Sequence, residues 1–134
     1  MLKLLFKLFK KSYVKHLDKQ VEKYWNIYRF DMEPGHISHN NEGDAFKHAF
    51  MAAELASLFG ESITRKICLL QEDTNSDNSP AERHMDLHNA EWGIMVGMEI
   101  AAASDCIADV LKEKDKIAKR VMKEMRKGNL ITRI

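Results

Sequence analysis

The chain reads as an all-α protein: a compact single-domain bundle of about four to five helices with a long amphipathic helix at its N-terminus. Three observations lead there. Apolar side chains recur at three- and four-residue spacings along most of the sequence, the period of a helix with one buried face. Prolines number two and glycines six, while hydrophobic residues make up 45% and charged residues 31%, a balance that suits a folded, helix-rich chain and not a disordered one. Finally, the stretch Asp44 to Gly60 is apolar nearly all the way round, which marks a helix buried at the centre of a fold. A chain of 134 residues suits one domain and buries a core without needing disulfides or a structural metal. We divide it into 1–30, an amphipathic helix that is part of the domain or appended to it, and 31–134, a helical domain with central helices over 44–59 and 80–103.

The N-terminal helix is visible in two opposed faces. Leu2, Leu5, Phe6, Phe9, Tyr13, Leu17, Val21, Tyr24, Trp25 and Tyr28 follow the helical period, while Lys3, Lys7, Lys10, Lys11, Lys15, Asp18, Lys19, Glu22 and Lys23 fill the other side. Its first eleven residues hold four lysines and no acid beside Leu4 and Leu8, a composition suited to a helix lying in a membrane interface. A transmembrane span is excluded, because no apolar run approaches about 18 residues. A cleaved signal peptide is not expected either, since lysines interrupt the apolar run and no small-residue cleavage site follows. The alternative is a helix that packs on the domain or on a second copy in a homo-oligomer. The expected location is cytoplasmic, with a peripheral position at the inner membrane surface through residues 1–11.

From Phe30 to Gly43 the pattern breaks into a loop, with Pro34-Gly35 as a turn signal and His36, His39, Asn40 and Asn41 as polar punctuation. Asn40 or Asn41 can cap the central helix, and Glu42 and Asp44 put negative charge in its first turn, where the helix dipole favours it. Asp44 thus has a purely structural role open to it. That role does not explain His48, which follows four residues later and therefore on the same face of an otherwise apolar helix. A buried carboxylate or imidazole has to be paired, hydrogen-bonded or bound to metal.

Gly60 ends the central helix as a C-cap glycine does. Ile63, Ile67 and Leu70 mark a short helix ending near Gln71-Glu72, before a polar loop, Asp73 to Asn78, whose spacing only weakly resembles a calcium loop. Ser79-Pro80-Ala81-Glu82 is a strong helix start: a serine cap, proline at the first position and a capping-box glutamate. The helix that follows carries a stripe of Asp86, Ala90, Gly93, Gly97 and Ala101, small enough for another helix to approach closely. The alanines of the central helix are the obvious partner, which would carry Asp86 to Asp44 and His48. A second line, His84, His88 and Glu91, runs at four- and three-residue spacings and is free to face either a cleft or water. The histidines have a metal-ligand spacing but lack the glutamate of an HExxH site. The last helix is expected to open at Ser104-Asp105 and to bury Ile107, Val110, Leu111, Ile117, Val121, Met122 and Met125. Its basic residues are read as a solvated face. Leu130 to Ile134 is an apolar tail able to dock on the domain or on a neighbour.

A net charge of +1 does not suggest a nucleic-acid binder, and basic-aromatic interleaving, glycine-rich phosphate loops and GxSxG elbows are all missing. Cys68 and Cys106 lie far apart in helical patterns and read as core thiols.

The strings Gly43-Asp44-Ala45-Phe46-Lys47-His48-Ala49 and Met85-Asp86-Leu87-His88-Asn89, with Gln71-Glu72 between them, resemble a poorly characterised group of small helical bacterial and phage domains. Its signature is of the form DAFRHA … HE … MDLHNN, and its members also occur at the C-termini of toxin-like proteins. The resemblance spans roughly Gly43 to Gly93 and implies Asp44, His48, Glu72, Asp86, His88 and Asn89 as signature positions. Lys47 stands for the group's arginine, Gln71 for a histidine and Ala90 for the second asparagine, so two polar side chains are missing from any shared site.

Those positions coincide with the side chains that are hardest to bury. We therefore expect a metal-dependent hydrolase-like domain in which Asp44, His48, Glu72, Asp86 and His88 gather zinc or manganese to activate water. Asp44, His48 and Asp86 would be its catalytic core and Asn89 an accompanying signature residue. The competing expectation is a non-enzymatic helical binding module, or a membrane-associated effector or immunity-type module, whose Asp, His and Asn side chains form a structural polar network.

Overall fold

Alanine and glycine decide how this chain packs. The computed structural model describes residues 2–33, 35, 37–75, 77–104 and 112–134. Among them are five helices: α1 (Leu2–Tyr28), α2 (Glu42–Phe59), α3 (Glu61–Thr74), α4 (Pro80–Ala102) and α5 (Lys114–Arg126). No strand forms among the described residues, and a lone antiparallel bridge joins Glu33 to Ile37. The protein is all-α, as the sequence predicts.

α2 and α4 form the most extensive helix pair. Ala45, Ala49, Ala52, Ala53 and Ala56 of α2 are buried, with Phe46, Phe50 and Leu55. Gly93 and Gly97 of α4 lie directly on the α2 backbone. A Cβ at Gly93 would strike the Ala49 carbonyl oxygen and sit 2.9 Å from its Cα; one at Gly97 would strike the Ala53 carbonyl oxygen and sit 3.0 Å from its Cα. The two contacts advance by four residues in both helices at once, so α2 and α4 run in the same direction. α3 returns the chain between them, after Gly60 stops α2 with a φ of 86° and donates its N–H to the Ala56 carbonyl. Consequently the N-termini of α2 and α4 and the C-terminus of α3 share one end of the bundle.

Both starts are firmly capped. Asn41 accepts the Asp44 N–H at the head of α2. Ser79 and Glu82 exchange hydrogen bonds at the head of α4, with Pro80 in the first position.

α1 packs its inner face on α2. Leu17, Val21 and Tyr24 are buried, and the Tyr24 ring meets Phe46 and Phe50 at 5.9 and 5.5 Å while Phe30 stacks on Phe46 at 4.8 Å. Tyr24 also donates its hydroxyl to Asp115 of α5 at 2.6 Å. The expected start of the last helix, including Asp105, Cys106, Ile107, Val110 and Leu111, lies outside the described residues. So do Pro34 and His36 and the side chains of Leu2, Lys3, Leu5, Phe6 and Phe9. Ser104, expected to cap that helix, donates its hydroxyl to the Ile100 carbonyl at the close of α4. The apolar side of α5 is seated as expected, with Ile117, Val121, Met122 and Met125 buried.

The C-terminal tail docks on the domain. Leu130 is buried, and Asn89, wholly buried in α4, holds the Ile131 backbone by two bonds: its Nδ2 donates to the carbonyl at 2.9 Å and its Oδ1 accepts the N–H at 2.8 Å.

Two stability outcomes follow. Glycine to alanine in a helix ordinarily gains up to about 1 kcal/mol, but at Gly93 the added methyl collides with backbone that has no room to turn aside. Gly93→Ala should destabilise by about 1–3 kcal/mol in denaturant unfolding, and a variant that unfolds later than the wild type would refute the close approach. Asn89→Ala should cost a similar ~1–3 kcal/mol, because it strands two backbone groups of Ile131. A truncation ending at Asn129 should then be insensitive to that change.

Candidate functional site

The shared end of α2, α3 and α4 gathers the ionisable groups. His48 points its Nε2 at two carboxylates at once, 3.3 Å from Asp44 Oδ1 and 3.3 Å from Asp86 Oδ1. One ligand atom from each of Asp44, His48 and Asp86 lies within 4.8 Å of the others. Asp44 and Asp86 are buried and His48 nearly so.

Local structure explains how each group is aimed. Asn40 sits in the left-handed region, with φ of 52°, a conformation that asparagine tolerates better than most residues. This turns its N–H onto Asp44 Oδ2 at 2.8 Å. Asp44 therefore does the work of a first-turn acid with one oxygen and offers the other to His48. Asp86 is held differently. Asn78, in the loop before α4, donates its amide to both Glu72 Oε2 at 3.0 Å and Asp86 Oδ2 at 3.2 Å. Asp86 Oδ1 is left buried with no hydrogen-bond partner. A single imidazole nitrogen carries at most one proton, so it cannot satisfy both carboxylates it faces.

Charge states follow from this crowding. Burial pushes the Asp86 carboxyl up, and the negative charges of Asp44 and Glu72 push further against the pull of His48, bringing it up to about 7. Burial also works against the charged form of Asp44, but its hydrogen bond to His48, the imidazole charge, the Asn40 N–H and Lys47 together hold it below the usual carboxylate range. For His48, burial alone would lower the basicity. The hydrogen bond with Asp44 and the charges of Asp86, Asp44 and Glu72 prevail and hold it above the ordinary imidazole value. Two carboxylates on one imidazole are thus driven in opposite directions, a pattern associated with divided acid and base roles.

The cluster opens into a cleft of about 260 Å³. The cleft is lined by the polar residues His39, Asn40, Gln71, Asn75, Asn78 and Glu82, by Lys10 and Lys47, and by Tyr13, Val14, Leu17, Met51, Leu55 and Ile67. Cleft and cluster coincide, as is usual for a ligand site.

The other sequence-predicted residues fall in two groups. Glu72 is buried and reaches Asp86 through Asn78. His88 is not in the cluster: its Nε2 lies 2.8 Å from the Asn129 carbonyl, and Asn89 is occupied with Ile131. The reason for His88 is helical phase, since two residues on from Asp86 turns a side chain by about 200°. His84, 6.1 Å from the His88 ring, is exposed and outside the cluster as expected.

Sequence reasoning passed over a second buried polar group. Glu54, on the apolar body of α2, accepts the Tyr13 hydroxyl at 2.6 Å, with His16 Nε2 at 3.3 Å and Lys114 Nζ at 3.7 Å. Its signal was available, because Glu54 is the lone charge between His48 and Gly60. Asn78 gave no such signal.

The titrations carry a sign that can be measured in metal-free protein. His48 and Asp86 are both raised on folding, so each favours the native state most when protonated; Asp44, lowered, does so when ionised. Stability should therefore fall as pH rises from about 4 to about 7 through Asp86, and further above the ordinary imidazole value through His48. It should fall again in acid as Asp44 takes up its proton. Asp86→Asn should flatten the limb between about pH 4 and 7 in thermal melts, and an unchanged slope there would separate Asp86 from the titration.

One family model matches the chain, over residues 9–129, and is described as a domain of unknown function, DUF6973. No curated protein and no solved structure matches the chain. Since the match takes in α2, α3, α4 and the whole acidic cleft, the chain belongs to the DUF6973 family.

Proposed function

We propose that the cleft binds a divalent cation, zinc or manganese, through Asp44 Oδ1, His48 Nε2 and Asp86 Oδ1, and that the chain is a hydrolase that uses it to activate water. The observation that carries this reading is the Asp86 oxygen, buried without a hydrogen-bond partner and 3.3 Å from the same nitrogen that faces Asp44. Ligand bonds of about 2.0–2.2 Å place donors on one ion roughly 3–4 Å apart, and the imidazole nitrogen stands 3.3 Å from each of the two carboxylate oxygens. The mixed nitrogen and oxygen set suits either metal. Asp44, Asp86 and Glu72 bring three carboxylates against a single imidazole, so a cation supplies the positive charge that the side chains lack. Glu72 would act through Asn78 to orient Asp86, as second-layer partners of metal ligands do. A bound cation lowers the pKa of its water and makes hydroxide available near neutral pH.

Elemental analysis and calorimetry test this directly. Purified protein should take up one zinc or manganese per chain, and Asp86→Ala should abolish uptake with its helical content intact. Glu72→Gln should weaken affinity by about 10–100-fold. A chain that takes up neither metal overturns the proposal.

A second reading is supported by Asn78, which joins Glu72 to Asp86, and by Asn40, whose Nδ2 donates to Glu82 at 3.2 Å. These bonds suit a structural network in a non-enzymatic binding module, in which the cluster fixes the helix ends. Under that reading Asp86→Asn would stabilise the protein and no metal would bind.

We also place the working cleft at a membrane surface, the inner face for a cytoplasmic chain. No helix among the described residues is long and apolar enough to cross a membrane. The support is peripheral: Leu4 and Leu8 of α1 stand exposed beside exposed Lys7 and Lys11.

A further inference from the structure

α1 has two jobs that meet in one helix. On its outer side Leu4 and Leu8, one turn apart, are 60% and 63% exposed, and Lys7, Lys11 and Lys15 are exposed around them. No acid occurs before Asp18. Apolar residues flanked by lysines suit an anionic bilayer, the leucines entering the headgroup boundary and the lysines meeting lipid charge. On its inner side the same helix supplies Lys10, Tyr13, Val14 and Leu17 to the cleft. A bilayer bound along the first three turns would thus lie beside the cleft that holds Asp44, His48 and Asp86.

The cleft itself has two chemical ends. Asp44, His48 and Asp86 make one, while Val14, Met51 and Ile67 make an apolar wall. Its volume of about 260 Å³ corresponds to roughly eight or nine groups the size of a water or a methylene, at ~30 Å³ each. An apolar wall is of no use to a small polar substrate, and an acidic end is of no use to a hydrocarbon. Both are used by an amphiphile. An anionic head suits this acidic end only with a cation present.

Resting on the cation-dependent hydrolase reading above, we infer that the substrate is an amphiphilic phosphodiester presented by an anionic bilayer on which α1 docks, its phosphate at the Asp44–His48–Asp86 end and a short length of its chain along the Val14, Met51 and Ile67 wall. In the reaction, water adds its oxygen to phosphorus and one ester P–O bond breaks. The proton lost by water ends on the departing alcohol, leaving a phosphate monoester, and nothing is oxidised or reduced.

The test uses the full chain and two readouts that need no turnover. Co-sedimentation should show binding to vesicles of phosphatidylcholine with roughly 30% phosphatidylglycerol, weakening with salt, and little binding to phosphatidylcholine alone. The double variant Leu4→Glu/Leu8→Glu should lose at least about tenfold in partitioning while keeping its helical content and its zinc uptake. In calorimetry with zinc present, monomeric octyl phosphate should bind at least about tenfold more tightly than ethyl phosphate, and Val14→Gln should erase most of that preference. Equal partitioning of the double variant, no binding to anionic vesicles, or equal affinity for the two alkyl phosphates overturns the inference. Metal uptake measured on the same samples separates the readings: zinc bound with both lipid arms negative sinks the substrate assignment alone, whereas failure to bind zinc sinks the hydrolase reading and this one with it.

Discussion

The approach of α4 to α2 through Gly93 and Gly97 is the constraint on which the rest of the structure depends. With no side chain at either position, the α4 backbone rests on the carbonyls of Ala49 and Ala53. Repeated four-residue steps make the contact a register as well as a distance. That register makes the helices parallel and obliges α3 to cross back. Three helix ends carrying Asp44 and His48, Glu72, and Asp86 are thereby brought to one place. A larger residue on either face would separate the helices and the ligand atoms with them. The stability of the pair and the geometry of the cluster are therefore one property.

Placing two helix N-termini at the acidic end has an electrostatic consequence. Each presents the positive end of its dipole, which favours negative charge there. Asp44 lies in the first turn of α2 and in addition accepts the N–H of Asn40, the loop residue just before the cap. Asp86, one turn further into α4 and farther from its dipole's end, is the carboxyl that burial and its acidic neighbours push upward. The difference between the carboxylates comes from their positions along their helices: one is solvated by backbone, the other by a single asparagine amide.

The readable parts of the sequence were those expressed as periodicity or capping. Ser79-Pro80-Glu82 specified the start of α4, and the alanine and glycine stripes specified both the helix pair and the convergence of Asp86 on Asp44 and His48, since a stripe fixes the phase of every residue in its helix. His88 shows what a motif loses without phase: grouped with Asp86 by proximity in sequence, it is carried to the opposite flank by two residues of helical rotation and meets Asn129. Asn78 was illegible for a different reason. A loop residue has no period, and its partners, Glu72 and Asp86, are defined only after α3 has folded back. Glu54 lies between these cases, detectable as a charge in an apolar helix, although its partners Tyr13, His16 and Lys114 come from two other helices.

That second cluster bears on how the cleft behaves. Glu54 is buried, and its carboxylate is kept there by the Tyr13 hydroxyl, with His16 and Lys114 close by. The Tyr13 and His16 contacts tie α1 to the middle of α2. Tyr24, bonded to Asp115 and packed on Phe46 and Phe50, fixes the same helix about three turns further along. The Tyr13 to Tyr24 segment, which carries Val14 and Leu17 into the cleft, is therefore pinned at both ends. The cleft wall is part of the rigid fold, so a ligand meets a preformed site and spends little of its binding energy on ordering it.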